Sequence, residues 1–245
     1  CSLKEGVNRF TLTCEMEMDS KGRVFSTKLY TSINKIACRL TYTTVDEYFK
    51  TGKIRKRKSF PNLTDHLDLY RKIAVILKEK RVKEGFINFH LPEASFEYDA
   101  DNKIKGIKKG YQTEAMQVIE QLMLLANENV AKYCDRKKIP IVWRNHPQPL
   151  PEKRRQLHNL FWNCAVNVSS INSSRDYNIA LEAAKSSSDK DFLEYSMLRS
   201  MSVAVYEVDR KGHFGVSATH YCHFTSPIRR FPDLLVHRAV KRHLR

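Results

Sequence analysis

His223-Phe-Thr-Ser-Pro-Ile-Arg-Arg-Phe-Pro-Asp-Leu-Leu-Val-His-Arg238 is the stretch on which the reading of this chain turns. Thr225-Ser-Pro227 reads as a helix entrance, with Ser226 as N-cap and Pro227 at the first helical position, where a missing N–H costs nothing. Arg229 and Arg230 then fall in the first turn. There the free backbone N–H groups and the helix dipole favour an anion, and a planar guanidinium grips a phosphate through two hydrogen bonds. The pattern predicts a phosphate-bearing partner. The simpler reading is an exposed helical salt bridge from Arg229 to Asp233, four residues on. Pro232, inside the same helical pattern, predicts a kink or a tightening of the first turns.

Further blocks appear on working outward from this stretch. Gly212-His-Phe-Gly215 precedes it, and Ile119-Glu-Gln-Leu-Met-Leu-Leu-Ala-Asn127 lies further upstream. Lys83-Glu-Gly-Phe-Ile-Asn-Phe-His-Leu-Pro-Glu93, Arg39-Leu-Thr-Tyr42 and Cys1-Ser-Leu-Lys-Glu-Gly-Val-Asn-Arg9 complete the series. Taken in order, these blocks resemble the catalytic domain of the ribonuclease II / ribonuclease R (RNB) exoribonuclease family. The resemblance covers nearly the whole chain. Asn8 stands where the family pattern has Asp, and the family's Asp-x-Asp-Asp metal cluster, expected upstream of the Cys-Ser-Leu block, is not found within residues 1–245. The resemblance therefore implies a partial catalytic domain, residues 1–245 as one unit without cold-shock or S1 modules, and inactive by itself.

The resemblance also assigns roles. It implies a 3′-to-5′ exoribonuclease that degrades single-stranded RNA processively to nucleoside 5′-monophosphates by metal-assisted hydrolysis. Magnesium is the implied cofactor, its aspartate ligands lying outside this chain. Arg229 corresponds to the residue that neutralises the scissile phosphate, and Glu120 to a carboxylate that completes the acidic site or orients water. Tyr42, read as a strand end, and Phe89 correspond to an aromatic pair that stacks on the terminal nucleotides, an interaction worth about 1–3 kcal/mol per base. Arg230, His223 and Arg238 are candidate supporting phosphate contacts. Other RNA-decay factors are implied as further partners, and a cytoplasmic location. The alternative is a non-catalytic RNA-binding member of the same family.

Composition agrees with a polyanionic partner. Lys and Arg number 43 against 27 Asp and Glu, a formal charge of +16, which disfavours an acidic small-molecule substrate without separating RNA from DNA or an anionic membrane. With 42% hydrophobic residues the chain is long enough for one large domain or two small ones. No apolar run approaches the roughly eighteen residues needed to span a bilayer, and the first residues do not read as a signal peptide. The cysteines at 1, 14, 38, 134, 164 and 222 form no Cys-x-x-Cys pair, so buried free thiols are expected in place of a zinc site or a disulfide scaffold. His220-Tyr-Cys-His223 fits neither a closed zinc site nor a cysteine nucleophile with its base.

The expected fold class is α/β in the sense of mixed α+β: a mixed or antiparallel sheet packed with long helices. Residues 10–19 and 23–33 alternate around Ser20-Lys-Gly22 as a hairpin, and a strand is expected over 36–42. Leu67, Tyr70, Ile73, Ala74 and Leu77 recur at helical spacing, preceded by a basic loop over 50–58 that is either an RNA contact or a solvated insertion. Strands are expected over 86–96 and 101–108. A long helix follows over 113–136, with a stripe of Ile119, Leu122, Met123, Ala126, Val130 and Tyr133 and with Glu120 at its border. The polar stretch 147–188 predicts a helical, loosely packed excursion. A helix over 191–201 and strands over 202–208 and 215–218 complete the expectation.

Overall fold

The computed structural model describes residues 2–55, 60–89, 91, 93–99 and 101–245. Cys1, residues 56–58 of the basic loop, and positions 90, 92 and 100 of the expected strands and turn lie outside the described residues. The alternating segments at the start pair as antiparallel strands β1 (Asn8–Met18) and β2 (Val24–Lys35). Their turn is tied by the Asp19 carboxylate, which accepts the amides of Lys21 and Arg23. Gly22, at φ +77°, lies so close to the next long helix that an added Cβ would come within 3.2 Å of Ile76. Leu29 of β2 turns into the core.

The expected strand over 36–42 does not form. Ile36 makes only an isolated bridge to Glu5, and Thr41 instead caps helix α1 (Tyr42–Thr51), its hydroxyl accepting the Thr44 amide at 3.2 Å. The run Thr41-Tyr-Thr-Thr44 is locally β-prone, but a threonine that satisfies an orphan helix N–H stabilises the helical alternative. Tyr42 therefore opens a helix and ends no strand. The helix expected from the spacing of Leu67 to Leu77 is α2 (Leu63–Glu84), which buries Leu67, Ala74 and Leu77 while Tyr70 stays exposed.

After α2, Phe86 and Ile87 are both buried, against the alternation of a half-buried strand, and among the described residues the next strand is β3 (Glu93–Tyr98), paired antiparallel with β4 (Ile104–Gly110). Ile87 donates its amide to the Gly215 carbonyl, and Asn178 donates to the Phe86 carbonyl. Helix α3 (Glu114–Arg136) matches expectation in extent and starts at the Thr113 cap. Its buried face does not. Of the expected stripe only Val130 is buried and Ile119 is 50% exposed, whereas Val118, Leu124, Leu125, Ala131 and Cys134 are enclosed beside Gln121, Asn127 and Asn129. Because α1, α2 and β2 all pack on α3, its buried surface is wider than one stripe and admits polar residues.

Short strands β5 (Trp143–Asn145) and β6 (Val205–Glu207) pair antiparallel, and of the expected strand over 202–208 only residues 205–207 form. Helices α4 (Pro151–Asn163) and α5 (Ser174–Ala184) correct the expectation of loose packing over 147–188, and α6 (Lys190–Ser200), which packs with them, matches the helix expected over 191–201. Phe161, Tyr177, Ala180, Leu193 and Met197 are fully enclosed there. The few apolar residues fall at helical spacing on inward faces, and a Ser173–Asp176 capping box starts α5. Truncating Phe161 to alanine costs about 3–5 kcal/mol. The strand expected over 215–218 is a tight loop: His213 and Ala218 exchange both backbone hydrogen bonds, and Ser217 sits at φ +53°.

A second core joins Leu29 of β2 and Val130, Ala131 and Cys134 of α3 to Val236 and Val240 of the last helix, α7 (Phe231–His243). The fold is thus mixed α+β, as expected, but the described strands pair only antiparallel and in three two-stranded sheets. Cys14, Cys38, Cys134, Cys164 and Cys222 are free thiols. Burial pushes Cys14 up to about 11 and Cys134 up to about 12, so both stay protonated.

Candidate nucleic-acid interface

The arginine stretch is built from the core outward. Asn127, wholly enclosed on α3, donates Nδ2–H to the Tyr221 hydroxyl at 3.1 Å and accepts the Phe224 amide on Oδ1 at 3.0 Å. Phe224 is also held by His237 of α7, whose Nε2 bonds its carbonyl at 2.8 Å and whose ring stacks on it at 4.4 Å. Beyond it the chain turns. The Ser226 carbonyl accepts the amides of Arg229 and Arg230, and the Ser226 amide donates to Asp233 Oδ1 at 2.7 Å.

This geometry corrects the expected helix entrance. The helix α7 starts at Phe231 with Arg230 as the residue before it, one turn later than a start at Pro227. Ser226 does not cap it. Pro232 lies in its first two positions, where its ring is tolerated, and so introduces no kink. The shift also decides the salt bridge. Asp233 is 0% exposed and its partner is Arg230, whose guanidinium bonds Oδ1 at 2.8 Å, whereas Arg229 is exposed with no carboxylate partner among the described residues.

Beside the turn stands a second basic group. β5–β6 pairing sets Arg144 directly opposite Tyr206 and lays its guanidinium 4.6 Å from the centre of the phenol ring. The Tyr206 hydroxyl meets His223 Nδ1 at 2.7 Å. Burial above all, then the positive charge of Arg230, holds His223 down to about 4, with Arg144 and Arg229 adding to the effect. His223 is therefore neutral at neutral pH and serves as a hydrogen-bonding group. Arg144 and Tyr206 escaped the sequence reading, since they become neighbours only through a pairing across 62 residues.

The remaining candidates lie on α1, α3, α7 and the segment after α2. Glu120 is half-buried on α3 and accepts from Gln112 Nε2 at 3.0 Å. Tyr42 is 46% exposed at the start of α1, Phe89 is partly buried against the α4–α6 core, and Arg238 is exposed on α7. No hydrogen bond, ion pair or ring contact joins these four to the arginine turn among the described residues. Nor do three His, Cys, Asp or Glu side chains converge as metal ligands among them, so these residues do not by themselves fit a magnesium site. In the His220–His223 segment, His220 bonds Asp135 and the buried Cys222 thiol faces the Asn127 carbonyl, so the two do not converge on one centre. None of the helices is long and apolar enough to cross a membrane among the described residues.

The mixed α+β scaffold thus carries an exposed arginine on a turn pinned by Asp233, beside an arginine–tyrosine–histidine group. The RNB domain family model matches residues 1–245, and the chain belongs to that family. It is 35% identical over 243 residues to ribonuclease R of Escherichia coli K12, covering 98% of this chain and 30% of that protein. The structure of Mycoplasma genitalium RNase R in complex with ribose-methylated single-stranded RNA superimposes with a TM-score of 0.93 at 27% identity, over 100% of this chain and 38% of that one. Yeast Ssd1, a pseudonuclease, has a TM-score of 0.76 at 21% identity over 98% of this chain and 30% of its own, and shares the fold. The chain spans about a third of the length of these relatives.

Proposed function

We propose that this chain is the RNA-gripping part of a 3′-to-5′ exoribonuclease that degrades single-stranded RNA processively to nucleoside 5′-monophosphates. The observation that carries the reading is the division of labour in the arginine pair: Arg230 neutralises the buried Asp233, and Arg229, next to it, is left exposed on the same turn. A guanidinium on a fixed backbone and free of any carboxylate is available to stabilise charge that develops on a phosphoryl oxygen. The RNA-bound RNase R relative supports single-stranded RNA as the ligand.

In this reading Arg229 acts on the scissile phosphate, with Arg144 and the neutral His223 as supporting contacts. Tyr42 and Phe89 stack on terminal bases, Glu120 orients an attacking water, and Arg238 adds a further phosphate contact. Arg230 serves the fold of the turn, not the RNA. Residues 1–245 contain no Asp-x-Asp-Asp cluster, so by this reading the 245-residue chain alone binds RNA without cleaving it. A cytoplasmic setting belongs to the same reading.

The test is Arg229→Lys in the full-length protein, assayed with magnesium chloride. Lysine keeps the charge and loses the two-point grip, so single-turnover cleavage falls about 10²–10³-fold, or about 3–4 kcal/mol, while RNA affinity changes far less. Near-normal turnover, or a loss of affinity in proportion to rate, makes Arg229 a tether only. A wild-type protein that binds RNA tightly and never cleaves it establishes the competing, non-catalytic reading, whose fold precedent is the yeast pseudonuclease.

A further inference from the structure

Asp233 is an ionisable side chain with no exposure at all, and a carboxylate so enclosed requires a countercharge and hydrogen-bond donors. Arg230 and the Ser226 amide supply both, and both reach the same oxygen, Oδ1. The contacts close a ring. Ser226 donates to Asp233, its carbonyl accepts the amides of Arg229 and Arg230, and the Arg230 side chain returns to Asp233. Arg229 is the residue of this ring whose backbone is fixed while its side chain points to none of the others.

The ring is anchored from one helix face. Asp233 and His237 stand four residues apart on α7, so they share a side of the helix, and each holds one end of the segment that leads to the arginines. His237 holds the Phe224 carbonyl and Asp233 holds the Ser226 amide. Together they leave the 224–230 segment little freedom to swing.

We infer that Asp233 is a positioning residue for Arg229. Through the Ser226–Arg230 turn it aims the Arg229 guanidinium, and by holding Arg230 inward it leaves a single arginine of the pair to meet phosphate. The inference rests on the reading of Arg229 proposed above. It makes the acidic residue of the motif necessary for a grip on an anion, although its own charge opposes one.

The test is a double-mutant cycle in the full-length protein: wild type, Arg229→Ala, Asp233→Ala and the double variant, compared in single-turnover cleavage of single-stranded RNA. Asp233→Ala is expected to slow cleavage at least tenfold, and the double variant to be within about twofold of Arg229→Ala, because a misplaced arginine and a missing one are the same loss. Asp233→Asn, which keeps the shape and the acceptor for Ser226, guards against an alanine variant that does not fold. It is expected to recover part of the rate, and its RNA affinity is expected to depend more steeply on salt, the slope rising by about one, as Arg230 swings out to a phosphate. A merely structural aspartate moves neither the coupling nor the slope. Multiplicative losses in the double variant, or an Asp233→Asn protein with wild-type rate and wild-type slope, overturn the inference and leave the reading of Arg229 standing. Normal cleavage by Arg229→Ala, or no cleavage by the wild type, overturns that reading and the inference with it.

Discussion

Asn127 is the joint between the long helix α3 and the segment that carries the arginines, and Asn127→Ala tests the construction of the site without touching RNA. The side chain is wholly enclosed, and its removal leaves two buried groups without partners: the Tyr221 hydroxyl, on a residue 5% exposed, and the Phe224 amide, on a residue 6% exposed. Each orphaned buried group costs about 1–3 kcal/mol, so the pair costs about 2–6 kcal/mol. Set against a typical domain stability of about 5–15 kcal/mol, that is a large fraction of the whole. Urea unfolding of the 245-residue chain measures it, with an unchanged slope confirming that the native state alone has changed. Amide hydrogen exchange at Phe224 should accelerate along with the loss of stability. A loss below about 1 kcal/mol, with Phe224 as protected as before, refutes the claim that Asn127 holds the segment.

Binding of the 245-residue chain to a ten-nucleotide single-stranded RNA is expected to weaken steeply as salt rises, because a chain of +16 net charge acts through phosphate contacts and counterion release; a flat response refutes a backbone-binding surface. Tyr42→Ala in the full-length protein is expected to lengthen the smallest end product while stability changes by about 0.5 kcal/mol or less, since Tyr42 is 46% exposed; an unchanged product removes it from the site. Burial holds His213 down to about 3 and His223 to about 4. Above an unfolded histidine value of about 6.5 these groups are neutral in both states, but between there and about 4 the unfolded chain takes up protons that the folded one refuses. Stability is therefore expected to fall as pH drops through that window, and a urea midpoint unchanged from pH 7 to pH 4.5 refutes it.

Elements whose residues keep one period throughout were legible in the sequence. The β1–β2 hairpin alternates around Gly22 and α2 repeats at helical spacing, while α3 was legible in extent but not in its buried face. What stayed hidden depends on partners far along the chain. Thr41-Tyr-Thr-Thr44 offers strand and helix alike until a cap is formed. The core face of α3 includes Gln121, Asn127 and Asn129, which no hydrophobic pattern reports because their partners lie on other segments. The stretch 147–188 is polar on average, and only the phase of Phe161, Tyr177 and Ala180 makes it a core. At the site, the arginine pair itself was legible. Which of the two is free was not, since Asp233 lies three residues from one and four from the other, and the start of α7, one turn late, gives it to Arg230.

The bond from Phe224 to Asn127 spans 97 residues, and that distance has a meaning in time. A ribosome adds about 5–20 residues per second, so Asn127 waits roughly 5–20 s before its partner exists at all. For that interval α3 carries an unmatched amide on a face destined for the core, and the turn around Arg229 has neither Asp233 nor His237 to shape it. The phosphate grip assigned to Arg229 thus comes into being only after α7 has emerged. On that reading, a nascent chain that has not yet extruded α7 has no shaped grip for RNA.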